Sequence, residues 1–188
     1  MVAVASHGNT KATGRDMVIS LAVLLVPVLL IVWFFTRTPD APQVDPVDWQ
    51  PTLAQARQKA GYPVLAPSTP PAGWKPVKAR FVERGGQWVG DTVASGNRWE
   101  LGFLSTDQIY IGVNQSDEPS TSAFLDSVTR SGRPDGTVVV EGHPWQKRIS
   151  DDGRTRSLVR PEGRSTAAVV GDADYPVLQG YASLLTSS

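Results

Sequence analysis

The sequence predicts an α+β protein: one apolar N-terminal helix able to cross a membrane, then a single domain in which two to three helices pack on an antiparallel sheet of about six to seven strands. Three observations carry this. Met17–Phe35 is uncharged, and only Ser20 and Pro27 interrupt its apolar run. Several later stretches rich in β-branched and aromatic residues alternate with a period near two, and turn-forming residues separate them. Helical periodicity returns in three short stretches, so the order after the anchor is helix, three strands, helix, four strands, helix, with the sheet covered on one face.

A helix over Met17–Phe35 reaches about 28 Å, close to the roughly 30 Å hydrocarbon core of a bilayer. Lys11, Arg15 and the free amine lie before the span, whereas Arg37 is followed by Asp40, Asp45 and Asp48 before the next base at Arg57. Basic residues beside a span are retained in the cytoplasm, so the N-terminus is placed inside and the C-terminal domain outside. A cleaved secretory signal needs a shorter core and a small-x-small site, and Ala41 is followed at once by Pro42. Pro27 removes one backbone donor and bends the helix locally. No charge interrupts the span, so it anchors rather than conducts. Trp33, Phe34 and Phe35 fit an interfacial aromatic belt and would serve equally as lipid-facing bulk.

These boundaries divide the chain into a disordered cytoplasmic tail (1–16), the span (17–35), a linker (36–48) carrying Pro39, Pro42 and Pro46, and an extracytoplasmic domain (49–188). From Thr36 onward there are 16 Lys and Arg against 17 Asp and Glu, a balance that gives nucleic acid no electrostatic hold. The chain has no cysteine, which removes disulfides, thiolate metal sites, cysteine nucleophiles and lipoprotein acylation together. An outer domain without disulfides suits a bacterium better than a eukaryotic secretory pathway.

The domain's first helix spans Pro51–Ala60, with proline inside its start and Gly61 past its end, and only Leu53 and a few alanines to bury. Tyr62–Pro76 is proline-punctuated and extended around a Pro71-Ala72-Gly73-Trp74 turn. Strands follow at Val77–Arg84, Trp99–Ser105 and Gln108–Gln115, with Gly85-Gly86 as a hairpin turn. Trp99, Leu101 and Phe103 mark the core face of the second strand, and Thr106-Asp107 makes the tight link to the third. Pro119–Arg130 reads as a helix capped by Ser120 or Thr121, with Phe124, Leu125 and Val128 on one side. Four strands then run over Thr137–Glu141, Pro144–Ser150, Arg154–Arg160 and Ser165–Gly171. Asp174 caps a last helix whose Val177, Leu178, Tyr181, Leu184 and Leu185 form an apolar stripe. Both halves end in an apolar strand and an amphipathic helix, a hint of duplication that chance explains more readily.

Several of these segments together resemble an actinobacterial membrane-anchored family of unknown function: Arg15-Asp16-Met17 with Ser20-Leu21-Ala22-Val23, the Pro71–Trp74 turn, Trp99-x-Leu-Gly-Phe103, Val140-Glu-Gly-His-Pro-Trp145, and the closing apolar strand, Gly171 and helix. The resemblance covers nearly the whole chain. It implies an inner-membrane protein with an extracytoplasmic domain, and it implies no activity or site residue.

Chemistry has few candidates. His143, the one histidine beyond the tail, could act as a base beside Asp151 or Asp152 on Ser150 or Ser157, but no Gly-x-Ser-x-Gly elbow supports such a triad, and a turn histidine is the simpler reading. One histidine and scattered carboxylates lack metal-ligand spacing. Arg154, Arg156, Arg160 and Arg164 could share a basic face, though a solvated sheet face accounts for them. Among the tryptophans, Trp99 and Trp145 are assigned to the core and Trp74 to a turn plug, while Trp88 is expected to be exposed as a contact surface. The weak contact set is therefore Trp88, Trp74, His143, Arg154 and Arg156, with no cofactor and no catalytic residue assigned. The sequence favours a non-catalytic, membrane-anchored domain that binds the bilayer through Met17–Phe35 and an unknown envelope protein or glycan outside. An envelope hydrolase using His143 with nearby carboxylates, and a lipid-holding pocket between sheet and helices, are the alternatives.

Overall fold

The computed structural model describes residues 14–35, 45–90 and 92–187. The predicted tail and linker therefore lie largely outside the described residues. Gly14–Asp16, assigned to the tail, already belong to helix α1, which runs Gly14–Phe35 and continues through Pro27. Its Met17–Phe34 stretch is the one described helix long and apolar enough to cross a membrane.

The second unit begins at Val44. Among its described residues are α2 (Gln50–Lys59), β1 (Leu65–Pro67), β2 (Lys75–Val82), β3 (Arg98–Leu104), β4 (Tyr110–Ser116), α3 (Thr121–Thr129), β5 (Arg133–Val140), β6 (His143–Ile149), β7 (Arg156–Glu162), β8 (Ser165–Gly171), α4 (Tyr175–Ser183) and β9 (Leu185–Ser187). The predicted α+β class with an antiparallel sheet holds. Seven strands form one sheet in the order β2-β3-β4-β8-β7-β6-β5, every neighbour antiparallel. Two meanders thus meet where β4 pairs with β8.

Alternation sorts the sheet into two faces. One face carries Trp99, Leu101 and Phe103 from β3, Ile111 and Val113 from β4, Val169 from β8 and Leu158 from β7, and it packs under Leu53 and Ala56 of α2 and Leu178, Tyr181 and Ala182 of α4. The opposite face carries Val159, Ala168 and Val170, onto which α3 lays Leu125 and Val128. Helices therefore cover both faces, where the sequence pattern predicted cover on one. A 3.6-residue stripe shows that a helix is amphipathic and says nothing of which side of a sheet it meets.

This placement also removes the duplicated unit. Antiparallel neighbours such as β4 and β8 are exchanged by a two-fold axis perpendicular to the sheet, which would put α3 and α4 on one face.

Some boundaries shift for local reasons. The turn between β3 and β4 has three residues, Thr106, Asp107 and Gln108, rather than two: Ser105 N donates to Ile109 O (2.9 Å) across it, and Gln108 turns the chain with φ 60°. The Pro71–Trp74 turn is of type II, its Gly73 holding φ 77° as Trp74 N bonds Pro71 O (2.9 Å). Ser120 caps α3, accepting from Ala123 N at 3.3 Å. Asp174 occupies the cap position of α4 but makes no capping bond, pairing with Arg156 instead (3.3 Å). That helix stops at Ser183, because Leu185–Ser187 is drawn out as β9 against β1, and of the predicted stripe Val177 and Leu184 are exposed.

The β1-β9 ribbon joins the two ends of the domain and is pinned by a buried amide. Gln115 Oε1 accepts from Leu65 N (2.6 Å), and its Nε2 donates to Pro63 O (3.0 Å). Beside it, Trp99 Nε1 donates to Leu65 O at 3.0 Å.

Tyr181 stacks on Trp74 (5.7 Å between ring centroids) and meets Phe103 edge-on, yet its hydroxyl is buried without a partner among the described residues. Burial pushes that phenol well above its ordinary value. Tyr181→Phe keeps the ring contacts and removes an unsatisfied group, so thermal unfolding is expected to show a gain of about 1 kcal/mol. A loss of that size would mean that the hydroxyl has a partner in solution.

Candidate functional site

The face opposite α2 and α4 holds the candidate site. Between β3 and β4, Gly102 and Gly112 are cross-strand partners, and their missing side chains leave a trough in the sheet. The Tyr110 ring lies in it: a Cβ on Gly102 would stand 2.2 Å from the Tyr110 hydroxyl oxygen. That hydroxyl donates to Glu100 Oε1 (3.3 Å), and Lys78 Nζ reaches the same oxygen at 2.8 Å. Burial, then the charge and hydrogen bond of Glu100, raises the Tyr110 phenol far above its ordinary value, so it stays a protonated donor. Glu100 itself is only 8% exposed, as is its cross-strand neighbour Asn114. Among the described residues, no hydrogen-bond partner reaches the Asn114 side chain, which lines the space above the sheet.

One wall of that space is a long hairpin excursion between β2 and β3. Gly85 N bonds Ala94 O (2.8 Å), Ala94 N bonds Gly86 O (2.9 Å), and Trp88 N bonds Thr92 O (2.8 Å), which folds Trp88 back over the sheet. Asn97 fixes its root, donating through Nδ2 to Ala60 O (2.9 Å) and accepting from Arg84 N (3.0 Å). Arg80 Nη2 donates to Gln87 O (2.9 Å). The guanidinium groups of Arg80 and Arg98 lie 4.6 and 5.0 Å from the Trp88 ring centre. The other wall is the end of α3, with Ser127, Val128 and Arg130. Together they enclose a groove of about 710 Å³ lined also by Lys78, Arg98, Glu100, Tyr110, Asn114 and Val170.

Arg98 is held by Glu118 in a nearly buried ion pair. Burial works to raise the Glu118 carboxyl, but the hydrogen bond and charge of Arg98, with bonds from Ser95 and Ser116, outweigh it and hold the group below its ordinary 4.5. A folded-state value below the unfolded one contributes stability above pH 4.5 that is lost as pH falls through the folded value. Urea unfolding of Glu118→Gln is accordingly expected to show a flatter decline in stability below that pH than the parent chain shows.

The predicted contact residues scatter over several surfaces. Trp88 lines the groove but is half-buried rather than exposed, because Arg80 and Arg98 pack against its ring. Trp74 plugs its turn against Tyr181, at a smaller depression lined also by Ile109, Arg156 and Val177. Arg156 and Arg160 share one face of β7, but each has its own carboxylate, Asp174 and Glu162, and Arg160 is buried over Trp145. Arg154 sits in the exposed turn before that strand. His143 opens β6 and Ser150 follows its end, so about 20 Å of strand separates them. Ser150 Oγ donates to Asp152 (2.5 Å) and accepts from Thr155 N (3.0 Å), the bonds of a turn. Among the described residues, no three His, Asp or Glu side chains gather closely enough to hold a metal ion.

Sequence reasoning reached the groove only at Trp88. Glu100 and Asn114 read as outward strand positions, and the signal that marks them is the Gly102–Gly112 pair one step along the same face.

Residues 10–185 match the model of a family described as a protein of unknown function (DUF4245). No curated protein matches the chain.

Proposed function

The chain belongs to this family of unknown function, and from that premise we propose that it is a non-catalytic binding domain held on the outer side of a bacterial cell membrane by α1, with actinobacterial origin implied by the sequence resemblance. The observation that carries the binding role is the groove: the buried Glu100 carboxylate and, beside it, the Asn114 amide, which has no hydrogen-bond partner among the described residues and opens to the groove, form its floor. A polar side chain without a partner in a covered site is a position awaiting a ligand or water. Lys11 and Arg15 before the span, against the acidic stretch after it, support the orientation. The separation of His143 from Ser150 favours binding over a histidine-dependent hydrolysis.

Hydrogen exchange on the full chain in lipid nanodiscs tests this reading. Envelope extract separated into glycan, lipid and protein fractions is expected to protect the segments carrying Trp88, Tyr110 and Asn114 with one fraction. Protection by none of them there would overturn the binding role.

A further inference from the structure

Resting on that reading, we propose that the groove takes a neutral, hydroxyl-rich ligand, a short stretch of uncharged saccharide. Lys78 pairs with Glu100 and Arg98 with Glu118, and the other charged lining residues, Arg130 and Asp172, are one of each sign, so no cluster of one sign remains to draw an anion or a cation. What the paired groups still present is hydrogen-bonding capacity of both kinds. The Asn114 amide donates and accepts, the Glu100 carboxylate has accepting positions beyond those used by Lys78 and Tyr110, and Arg98 has donors beyond the one given to Glu118. A sugar hydroxyl donates and accepts at once, so vicinal hydroxyls match an adjacent amide and carboxylate such as the cross-strand pair Glu100 and Asn114. Val128 and Val170 supply apolar surface for the C–H faces of a ring. A phosphate would meet the Glu100 carboxylate on the floor, and a lipid tail would find that floor polar. The volume, about 710 Å³, lies within the roughly 300–1,000 Å³ of small-molecule sites.

Titration calorimetry on the full chain in nanodiscs tests the class, with maltotetraose, mannotetraose and chitotetraose as neutral probes and tetragalacturonate as the anionic one. At least one neutral probe is expected to bind, and Asn114→Ala is expected to weaken it about tenfold, the order of one hydrogen-bonding side chain. Because no side-chain hydrogen bond holds Asn114 among the described residues, that variant should melt close to the parent, which separates lost binding from lost folding. Glu100→Gln releases Lys78 and is expected to lower neutral binding while raising that of tetragalacturonate. No heat from any neutral probe at about 10 mM, enough to fill a site with Kd near 1 mM, would overturn the proposal, as would binding indifferent to Asn114→Ala. If the saccharides fail while the lipid or protein fraction still protects the groove in hydrogen exchange, the ligand class falls and the binding role stands.

Discussion

Trp99→Ala is expected to destabilise the C-terminal domain by about 5 kcal/mol, at the upper end of the range for aromatic truncation in a core. Trp99 lies in the middle of the sheet's inner face with its indole fully covered, so removing it leaves a cavity that strands β2 and β4 on either side cannot close. Its Nε1 is also the donor to Leu65 O, and truncation strands that carbonyl in the interior. A domain of this size has roughly 5–15 kcal/mol in hand, so the variant should unfold at far lower urea or not fold at 37 °C. Unfolding of a chain beginning at residue 45, followed by tryptophan fluorescence and circular dichroism together, measures it. A shift under about 2 kcal/mol would show that the β1 segment is not packed as described.

Gln115→Ala carries the second large effect, about 3 kcal/mol. Gln115 is completely buried, and among the described residues its amide is the only side chain that answers Leu65 N and Pro63 O, both backbone groups of the segment entering β1. Losing it leaves a donor and an acceptor unsatisfied in a dry interior at about 1–3 kcal/mol each. Gln115→Glu keeps an acceptor for Leu65 N but forfeits the donor to Pro63 and buries a carboxyl, so it should be no milder. The ribbon that Gln115 supports is expected to loosen first, and amide exchange at Ala66 and Thr186, which face each other across β1 and β9, should rise before the main sheet opens. Exchange that rose uniformly would place the damage in the sheet instead.

The sheet was legible because its strands announce themselves locally. Ser165–Gly171 is apolar, β-branched and bounded by turns, and the alternation of Trp99, Leu101 and Phe103 gave the core face directly. The β1-β9 ribbon was not, since three-residue strands pairing Leu65 with Ser187 depend on a contact across the whole domain, and a proline sits in one of them. The end of α4 was misread for the same reason: its apolar stripe runs on into Leu184 and Leu185, and tertiary pairing, not helical periodicity, decides where the helix yields to strand. At the site, Trp88 drew notice as a large ring in a glycine-rich hairpin. The groove it helps enclose stayed hidden because polar residues at alternate strand positions look the same whether they face solvent or a covered cleft. Only the Gly102 and Gly112 pair, which makes room for Tyr110, distinguishes the two.

The absence of cysteine makes the central claim, a groove held outside the membrane, directly measurable with single introduced thiols. Val89→Cys, at an exposed position on the groove wall, and Ser6→Cys, before the span, would each be treated with a membrane-impermeant maleimide on intact cells and again after lysis. Labelling of residue 89 on intact cells, with residue 6 reacting only after lysis, is the predicted result. Residue 6 reacting from outside while residue 89 stays silent until lysis would contradict it.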